Sequence, residues 1–190
     1  MVVDDATNAA GLRMTKVEPL PDIRSLRPEP GLLELVEDPG AALTRHTPVL
    51  LASARALIHN ESDARDLVQT TLEIAARKLG DLRDPAALKS WLLAIQVREA
   101  FRLRRRLARM VHLNPEVAEL PTSPGPNPDV IALRTALPKL PPRARTAIVL
   151  HYLADLPVSE VARAMAISEN TAKGHLKAGL ARLREELKDD

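Results

Sequence analysis

The segment that most constrains the fold runs from 157 to 188, where two helical patterns meet at a tight turn. Apolar residues recur in the first pattern at Val161, Ala162 and Met165, and in the second pattern at spacings of three and four. The second apolar stripe consists of Ala172, Leu176, Leu180, Leu183 and Leu187. Such spacings place the stripe on one helix face, and Ser168 is a suitable N-cap. The segment therefore predicts a helix-turn-helix.

The opposite face of the second helix is polar and largely basic. A helix with such a face can enter a DNA major groove, where its side chains reach base edges and phosphates. The candidates are Glu169, Asn170, Thr171, Lys173, Gly174, His175 and Lys177. Arg143, Arg145 and Arg163 are candidates for phosphate contacts rather than base contacts. A helical hairpin with a solvated charged face is the alternative interpretation of this window.

Composition favours an all-α fold. Aromatic residues make up only 2% of the 190 residues, so any core must be built from Leu, Val, Ile and Ala. A chain rich in Ala and Leu with few β-branched runs favours helices. Net charge is only +2, but a cluster of arginines between 98 and 109 forms a basic patch suited to a polyanion.

The sequence contains no feature that indicates an enzyme or a membrane protein. The chain has no cysteine, which rules out a disulfide, a thiolate zinc site or a thiol nucleophile. Its five histidines are scattered without ligand spacing, and no glycine-rich nucleotide motif occurs. No apolar run is long enough for a membrane helix, and no signal peptide begins the chain. We therefore expect a cytoplasmic protein without a catalytic site, a metal or a cofactor.

Proline placement predicts four segments. Residues 1–40 are interrupted by prolines and are expected to form a flexible arm. Residues 41–107 are expected to form one compact helical unit and residues 131–190 a second one. Residues 108–130 are rich in proline and are expected to form a flexible linker.

Within the two units, several local features predict helix boundaries and buried faces. Asn60 is a suitable N-cap, Gly80 a suitable helix end, and Pro85 a suitable first residue for the next helix. In the second unit, the helix from Arg143 is expected to bury a further stripe. Its members are Ile148, Val149, Tyr152, Leu153 and Leu156. Ala166 stands where a turn glycine is usual, which predicts a mildly strained turn.

The sequence resembles a known family in two places. LPPRARTAIVLHYLADLPVSEVARAMAISENTAKGHLKAGLARLREEL is similar to the promoter-distal DNA-binding domain of bacterial sigma factors, their region 4. DARDLVQTTLEIA, followed by LKSWLLAIQ and the arginine run, is similar to their region 2. Two such domains joined by one linker resemble the small extracytoplasmic-function (ECF) class, group 4 of the sigma-70 family.

The resemblance implies partners and the residues that meet them. It implies core RNA polymerase, through its β and β′ subunits, and promoter DNA, and it adds an anti-sigma factor as a candidate. The implied polymerase contacts are Asp66, Leu67, Val68, Gln69, Thr70 and Glu73, although Leu67 and Val68 also fit the core. The implied contacts to the −10 element are Lys89, Ser90, Arg98, Arg102, Arg105 and Arg106. The helix-turn-helix face and its flanking arginines would contact the −35 element.

The chain also departs from the family pattern. Relatives commonly carry Asn and Asp where this chain has Arg98 and Arg102, and the loop GDLRDPAALKS lacks the aromatic residues that many relatives place near the melted strand. The alternative function is a stand-alone regulator, because SENTAKGHLK also resembles the recognition helix of LuxR-type proteins. That alternative leaves DARDLVQ and the arginine helix unexplained.

Overall fold

The computed structural model describes residues 37–58, 60–113, 132–133 and 135–188. The predicted arm up to residue 36 and the predicted linker over 114–130 lie outside the described residues. The first half, residues 37–113, contains α1 (Pro39–Thr44), α2 (Thr47–Leu57), α3 (Glu61–Arg77) and α4 (Leu88–Leu113), with 3₁₀ turns at Leu79–Asp81 and Pro85–Ala87.

The second half, residues 132–188, contains a 3₁₀ turn at Leu137–Lys139, α5 (Pro142–Ile148), a π-helical segment (Val149–Leu153), α6 (Val158–Met165) and α7 (Glu169–Glu186). Throughout the described part of the chain the regular structure is helical, with no strand. The predicted all-α fold is confirmed.

Side-chain caps begin several of these helices. Asn60 Oδ1 accepts hydrogen bonds from the backbone amides of Ser62 at 2.8 Å and Asp63 at 3.1 Å. Ser168 Oγ accepts from the amide of Thr171 at 3.2 Å. Each cap satisfies amide donors that a helix leaves without an intrahelical partner. Both predicted caps are confirmed.

In the first half, α2, α3 and α4 pack around a core of aliphatic side chains. A buried polar network crosses this core. The Ser53 hydroxyl donates to Gln96 Oε1 at 2.6 Å, and Gln96 Nε2 donates to the Leu50 carbonyl at 2.8 Å. Both polar side chains are fully buried. The network therefore joins α2 to α4 at one defined register.

In the second half, α7 packs against α5 and α6. Ala172, Leu176 and Leu183 are buried on its inner face, as the stripe predicts. Gly179 is also buried, and a Cβ atom at this position would lie only 2.7 Å from Ile148 Cγ1. The missing side chain at Gly179 thus allows α7 to lie close to α5.

The two halves also pack against each other. Helix α4 of the first half contacts α6 of the second half, and α2 contacts both the segment Val149–Leu153 and the 3₁₀ turn Leu137–Lys139. These contacts join parts of the chain that are separated by residues 114–131.

Several boundary predictions need correction. Helix α3 ends at Arg77 and Gly80 lies inside a 3₁₀ turn, while Pro85 begins another 3₁₀ turn rather than an α-helix. Asp84 still caps that turn by accepting from the Ala86 amide at 2.9 Å. Helix α4 continues to Leu113, past the expected unit boundary at 107. Leu187, expected in the buried stripe, is 44% exposed because it lies just beyond the end of α7.

The predicted inner face of the helix from Arg143 is wrong at two positions. Tyr152 is 58% exposed and Leu153 is 45% exposed. The helix changes to π-helical hydrogen bonding at Val149–Leu153, with the Ala154 amide donating to the Val149 carbonyl at 3.0 Å. This wider turn shifts the following side chains out of the 3.6-residue pattern on which the prediction rested.

Candidate nucleic-acid and polymerase interfaces

The outer face of α7 carries the predicted base-contacting residues. Asn170, Lys173 and Lys177 are exposed together with Glu169, Thr171 and Gly174, whereas His175 is half-buried. Within the described residues neither Lys173 nor Lys177 takes part in an ion pair. This face is therefore available to a partner, while Ala172 and Leu176 anchor the helix from behind.

The turn before α7 sets its direction. Ala166 ends α6 in the left-handed conformation, with φ 53° and ψ 49°. For a residue with a Cβ this conformation costs about 1–2 kcal/mol, which agrees with the predicted strain. The Ser168 and Thr171 hydroxyls lie 2.8 Å apart, so the Thr171 hydroxyl belongs to the cap of α7.

The flanking arginines differ in accessibility. Arg143 and Arg163 are exposed, and Arg163 pairs with Glu160 at 2.7 Å. Arg145 is only 3% exposed and its Nη2 donates to the Pro138 carbonyl at 2.6 Å. Burial, with a smaller contribution from the nearby Arg104, lowers the pKa of Arg145 to about 10. The prediction that Arg145 contacts phosphate is therefore wrong, because this side chain holds the fold of the second half.

One face of α4 is lined with arginines. Arg98, Arg102 and Arg105 recur at spacings of three and four, and they are exposed together with Arg106 and Arg109. Arg102 also pairs with Glu99 at 2.9 Å. These exposed guanidinium groups lie along one side of α4 and could neutralise phosphates.

The two other predicted −10 residues lie at the start of α4. Lys89 and Ser90 are half-buried. The Ser90 hydroxyl donates to the Ala87 carbonyl at 3.0 Å, so it already has a partner within the helix start. Trp91 is partly buried against the core, in agreement with its position on the apolar stripe.

The predicted polymerase residues on α3 divide into two groups. Leu67 and Val68 are buried in the core of the first half. Asp66, Gln69, Thr70 and Glu73 are exposed, and Gln69 Nε2 donates to Glu73 Oε1 at 3.0 Å. The accessible surface is therefore acidic and amide-bearing, as the sequence indicates, while Leu67 and Val68 hold the helix in place.

A groove of about 370 Å³ between α3 and α4 brings the two predicted surfaces of the first half together. It is lined by Asp63, Asp66, Leu67, Thr70, Glu99, Arg102, Leu103, Arg106 and Arg109. Sequence reasoning assigned neither Asp63 nor Glu99 to the site. Spacing along one helix cannot show that acidic residues of α3 lie opposite arginines of α4.

Metal-ligand clusters and membrane-spanning helices are both absent from the described residues. These residues contain no group of three His, Cys, Asp or Glu side chains that could hold a metal ion. None of their helices is both long and apolar enough to span a bilayer.

Both halves match known families. The family described as Sigma-70 region 2 matches residues 42–110, and the family described as Sigma-70, region 4 matches residues 131–183. RNA polymerase sigma factor SigV of Bacillus subtilis is 30% identical over 147 residues, which cover 76% of this chain and 88% of that protein. The chain belongs to the ECF sigma factors of the sigma-70 family.

Further relatives agree with this assignment. An RNA polymerase sigma-E factor of Streptomyces coelicolor is 32% identical over 143 residues, covering 73% of this sigma factor and 79% of that one. The solved structure of the sigma factor RpoE from Bartonella quintana, in complex with the anti-sigma factor NepR, has a TM-score of 0.73 and 28% identity. It covers 81% of this chain and 99% of the other.

The family fits the geometry of both halves. Region 2 covers α1 to α4 with the acidic surface and the arginine face, and region 4 covers α5 to α7 with the helix-turn-helix. The protein is thus an RNA polymerase sigma factor, and the stand-alone regulator is not favoured. Sigma factors are non-enzymatic initiation factors that act with RNA polymerase inside the cell.

Proposed function

We propose that this sigma factor recruits core RNA polymerase through α3 and directs promoter-specific initiation through two DNA-facing helices, α4 and α7. The observation that carries the proposal is the order of the two family matches on one chain, each with an exposed surface of suitable chemistry. The chain itself needs no catalytic residue or cofactor, since polymerisation belongs to its partner, and it works in the cytoplasm.

The whole proposal is tested by reconstitution. The purified chain is mixed with core polymerase and followed on a sizing column, and the transcripts made by the complex are sequenced. We expect comigration and initiation from a defined set of promoters. Specific DNA binding without comigration would overturn the proposal and would instead support the stand-alone regulator.

For the −35 element, we assign the base contacts to the exposed face of α7. Asn170, Lys173 and His175 offer amide, ammonium and imidazole groups, and Lys177 lies one turn further along. Glu169 and Thr171 lie at the helix start. A Cβ added at Gly174 would meet no protein atom within 4 Å, so this position leaves room for close approach of DNA. Arg143 and Arg163 contact phosphates at the edges of this face.

The −35 assignment is tested by substituting Lys173→Ala and His175→Ala separately. Each lost base contact is expected to weaken binding of a −35 duplex by roughly 1–3 kcal/mol and to relax the preference at one base pair. Lys188→Ala is the matched control, because it removes the same charge just beyond the end of the same helix. Equal effects of Lys173→Ala and Lys188→Ala on all duplexes would contradict the assignment.

For the −10 element, we assign phosphate contacts to Arg98, Arg102, Arg105 and Arg106, with Lys89 and Ser90 at the start of the helix. Each arginine changed to Ala is expected to lower the slope of log affinity against log salt by about one. Arg77→Ala, at the exposed end of α3, is the control for general charge. A variant that leaves the salt slope unchanged does not remove a phosphate contact.

For core polymerase, we assign Asp66, Gln69, Thr70 and Glu73 to the contact surface, with Leu67 and Val68 supporting it from the core. Asp66→Asn and Gln69→Ala are expected to weaken polymerase binding while leaving the circular dichroism spectrum unchanged. Asp81→Asn removes an exposed carboxylate outside α3 and serves as the control. A loss of helicity in the first two variants would show a structural role instead.

An anti-sigma factor is a candidate partner. The solved relative RpoE is in complex with the anti-sigma factor NepR. This chain has the same fold over 81% of its length, so a comparable partner could bind it.

A further inference from the structure

The amino ends of α2 and α4 lie at the same end of the first half. Helix α2 packs against α3, which begins shortly after α2 ends, so these two helices run antiparallel. The groove between α3 and α4 is lined by the first part of α3 and the last part of α4, so this pair is antiparallel too. Helices α2 and α4 are therefore parallel.

The buried network around Gln96 determines which residues of α2 and α4 face each other at this end. Gln96 on α4 accepts a hydrogen bond from the Ser53 hydroxyl on α2. Seven residues earlier in each helix, after almost two full turns, a side chain returns to nearly the same face. These positions are His46, which immediately precedes α2, and Lys89, the second residue of α4. His46 and Lys89 therefore face each other where the two helices begin.

The side chains at this end are cationic or titratable. Arg45 is exposed, and His46 and Lys89 are half-buried. Burial, followed by the charges of Arg45 and Lys89, lowers the pKa of His46 from its usual value of 6.5. The exposed carboxylates of Asp81 and Asp84, on the segment between α3 and α4, are not among the groups that shift it. The His46 ring therefore lies between two positive charges.

Neither facing side chain is occupied by an internal partner. The His46 ring does not cap α2, and Lys89 takes part in no ion pair within the described ranges. In the free chain a neutral imidazole avoids repulsion by the two neighbouring cations, whereas an anion placed between them would favour the imidazolium form. A phosphate group can accept hydrogen bonds from imidazolium, ammonium and guanidinium groups together. The chemistry of this end is thus that of a phosphate site.

The position of these side chains indicates the DNA of the −10 element as the source of the phosphate. Lys89 and the neighbouring Ser90 are already assigned to this element in the proposed function. The preceding loop, GDLRDPAALKS, has no aromatic side chain on which an unpaired base could stack. Binding of the strand near this loop must therefore depend more on charge, which Arg45 and His46 would add to that of Lys89.

Resting on the proposed function, we infer that Arg45, His46 and Lys89 form a phosphate-binding site for the −10 element, and that His46 takes up a proton from solvent when a phosphodiester enters it. The site extends the DNA-binding surface from α4 onto the start of α2. Because the DNA-bound chain holds one more proton, its affinity for the −10 element falls as pH rises.

The test compares promoter binding by holoenzymes that contain the parent chain or His46→Gln, with a fluorescent fragment of a promoter identified by transcript sequencing. Glutamine stays polar but cannot carry a charge. His46→Gln is expected to bind about tenfold more weakly than the parent at about pH 6 and within about twofold of it at about pH 8. The ratio of the two affinities cancels the pH dependence of all other groups. The same ratio at both pH values would overturn the inference.

His46→Arg provides a second variant with the opposite trend, because its charge does not depend on pH. It is expected to bind like the parent at low pH and more tightly than the parent at high pH. Should His46→Gln fail to fold by circular dichroism, His46→Arg decides: binding no tighter than the parent at high pH would contradict the inference. Lys188→Gln is the control, since it removes a permanent charge and should keep one ratio at both pH values.

Salt dependence gives an independent measure of the same contact. At low pH, His46→Gln is expected to lower the slope of log affinity against log salt by about one, and at high pH to leave it unchanged. A slope lowered equally at both pH values would show a contact that involves no proton uptake.

Failure of the inference and failure of the proposed function have different signatures. A chain that does not comigrate with core polymerase would overturn the proposed function and, with it, the inference. A holoenzyme that initiates from defined promoters, but whose affinity ratio to the His46→Gln holoenzyme is independent of pH, would overturn the inference alone.

Discussion

The two halves of this sigma factor position their helices by different means. In the first half, the buried amide of Gln96 joins α4 to Ser53 and the Leu50 carbonyl of α2. In the second half, α7 approaches α5 through its backbone at Gly179, against the side chain of Ile148. A polar network fixes the relative position of two helices through the geometry of its hydrogen bonds. A glycine contact fixes it because any larger side chain at that position would clash with the neighbouring helix.

The surfaces proposed to contact DNA also differ between the two halves, because an arginine of α4 has acidic neighbours and the lysines of α7 do not. Arg102 on α4 is paired with Glu99 and shares a groove with Asp63 and Asp66. Lys173 and Lys177 on α7 have no acidic partner among the described residues. The lysines of the proposed −35 surface can thus contact phosphates and bases directly. On α4, Arg102 must first break its ion pair with Glu99 before it can contact DNA.

The largest expected effect comes from filling the backbone contact of the second half. Gly179→Val is expected to lower the free energy of unfolding by about 3 kcal/mol, because its side chain would overlap Ile148. Gly174→Ala on the same helix has no atom within 4 Å of the new Cβ and is expected to stabilise by up to about 1 kcal/mol. Urea denaturation measures both, and equal effects would remove the distinction between the two glycines.

Breaking the polar network of the first half is expected to lower the free energy of unfolding by less than the Gly179→Val substitution does. Gln96→Ala is expected to lower the free energy of unfolding by about 2 kcal/mol, since it leaves a cavity and removes two buried hydrogen bonds. Gln69→Ala changes an exposed amide and is expected to stay within about 0.5 kcal/mol of the parent chain. A Gln96→Ala variant as stable as Gln69→Ala would show that the network does not stabilise the first half.

Relieving the turn of the second half should have a smaller effect of opposite sign. Ala166→Gly is expected to raise the free energy of unfolding by about 1 kcal/mol, because glycine adopts φ 53° without a Cβ clash. The same change at exposed Ala178, inside α7, is expected to cost up to about 1 kcal/mol. Thermal unfolding of the two variants distinguishes a strained turn from a general glycine effect.

The smallest effect concerns a surface pair of the first half. Arg55 donates to both oxygens of Glu61, at 2.6 and 2.9 Å, and with a smaller contribution from Arg65 it lowers the pKa of that carboxyl from 4.5 to about 2. A carboxyl group whose pKa is lower in the folded state stabilises that state fully above pH 4.5. This contribution to the free energy of unfolding is lost as pH falls from 4.5 towards 2. Both side chains are 42% exposed, so screening keeps the contribution below about 1 kcal/mol.

Glu61→Gln should flatten the pH dependence of unfolding between pH 4.5 and the lowest pH at which the chain stays folded. Denaturant titrations at several pH values provide the measurement. An unchanged slope in the variant would assign the acid sensitivity to another carboxyl group.

Local patterns explain where prediction from the sequence succeeded. The buried stripe of α7 is confirmed at Ala172, Leu176 and Leu183 because helical spacing alone places them on one face. The capping roles of Asn60 and Ser168 are confirmed for the same reason, since a cap involves only the next few residues. These features depend on neighbours along the chain.

The errors occur where distant segments or backbone defects intervene. Tyr152 and Leu153 are exposed because the π-helical segment changes the turn, which apolar spacing does not reveal. Arg145 is buried between the Pro138 carbonyl, to which it donates, and the neighbourhood of Arg104 in the first half, and helical spacing shows neither contact. An arginine next to a helix-turn-helix has the same sequence signature whether it is exposed or buried.

The sequence by itself determined the two helical units, their buried stripes and the chemistry of three candidate surfaces, since these follow from residue type and helical period. Only the tertiary structure decided that α3 and α4 share a charged groove, that Gly179 seats α7 on α5 and that α6 closes over α4. Contacts between segments far apart in the chain depend on shape and burial in three dimensions. They produce no repeating pattern of apolar residues from which the sequence could predict them.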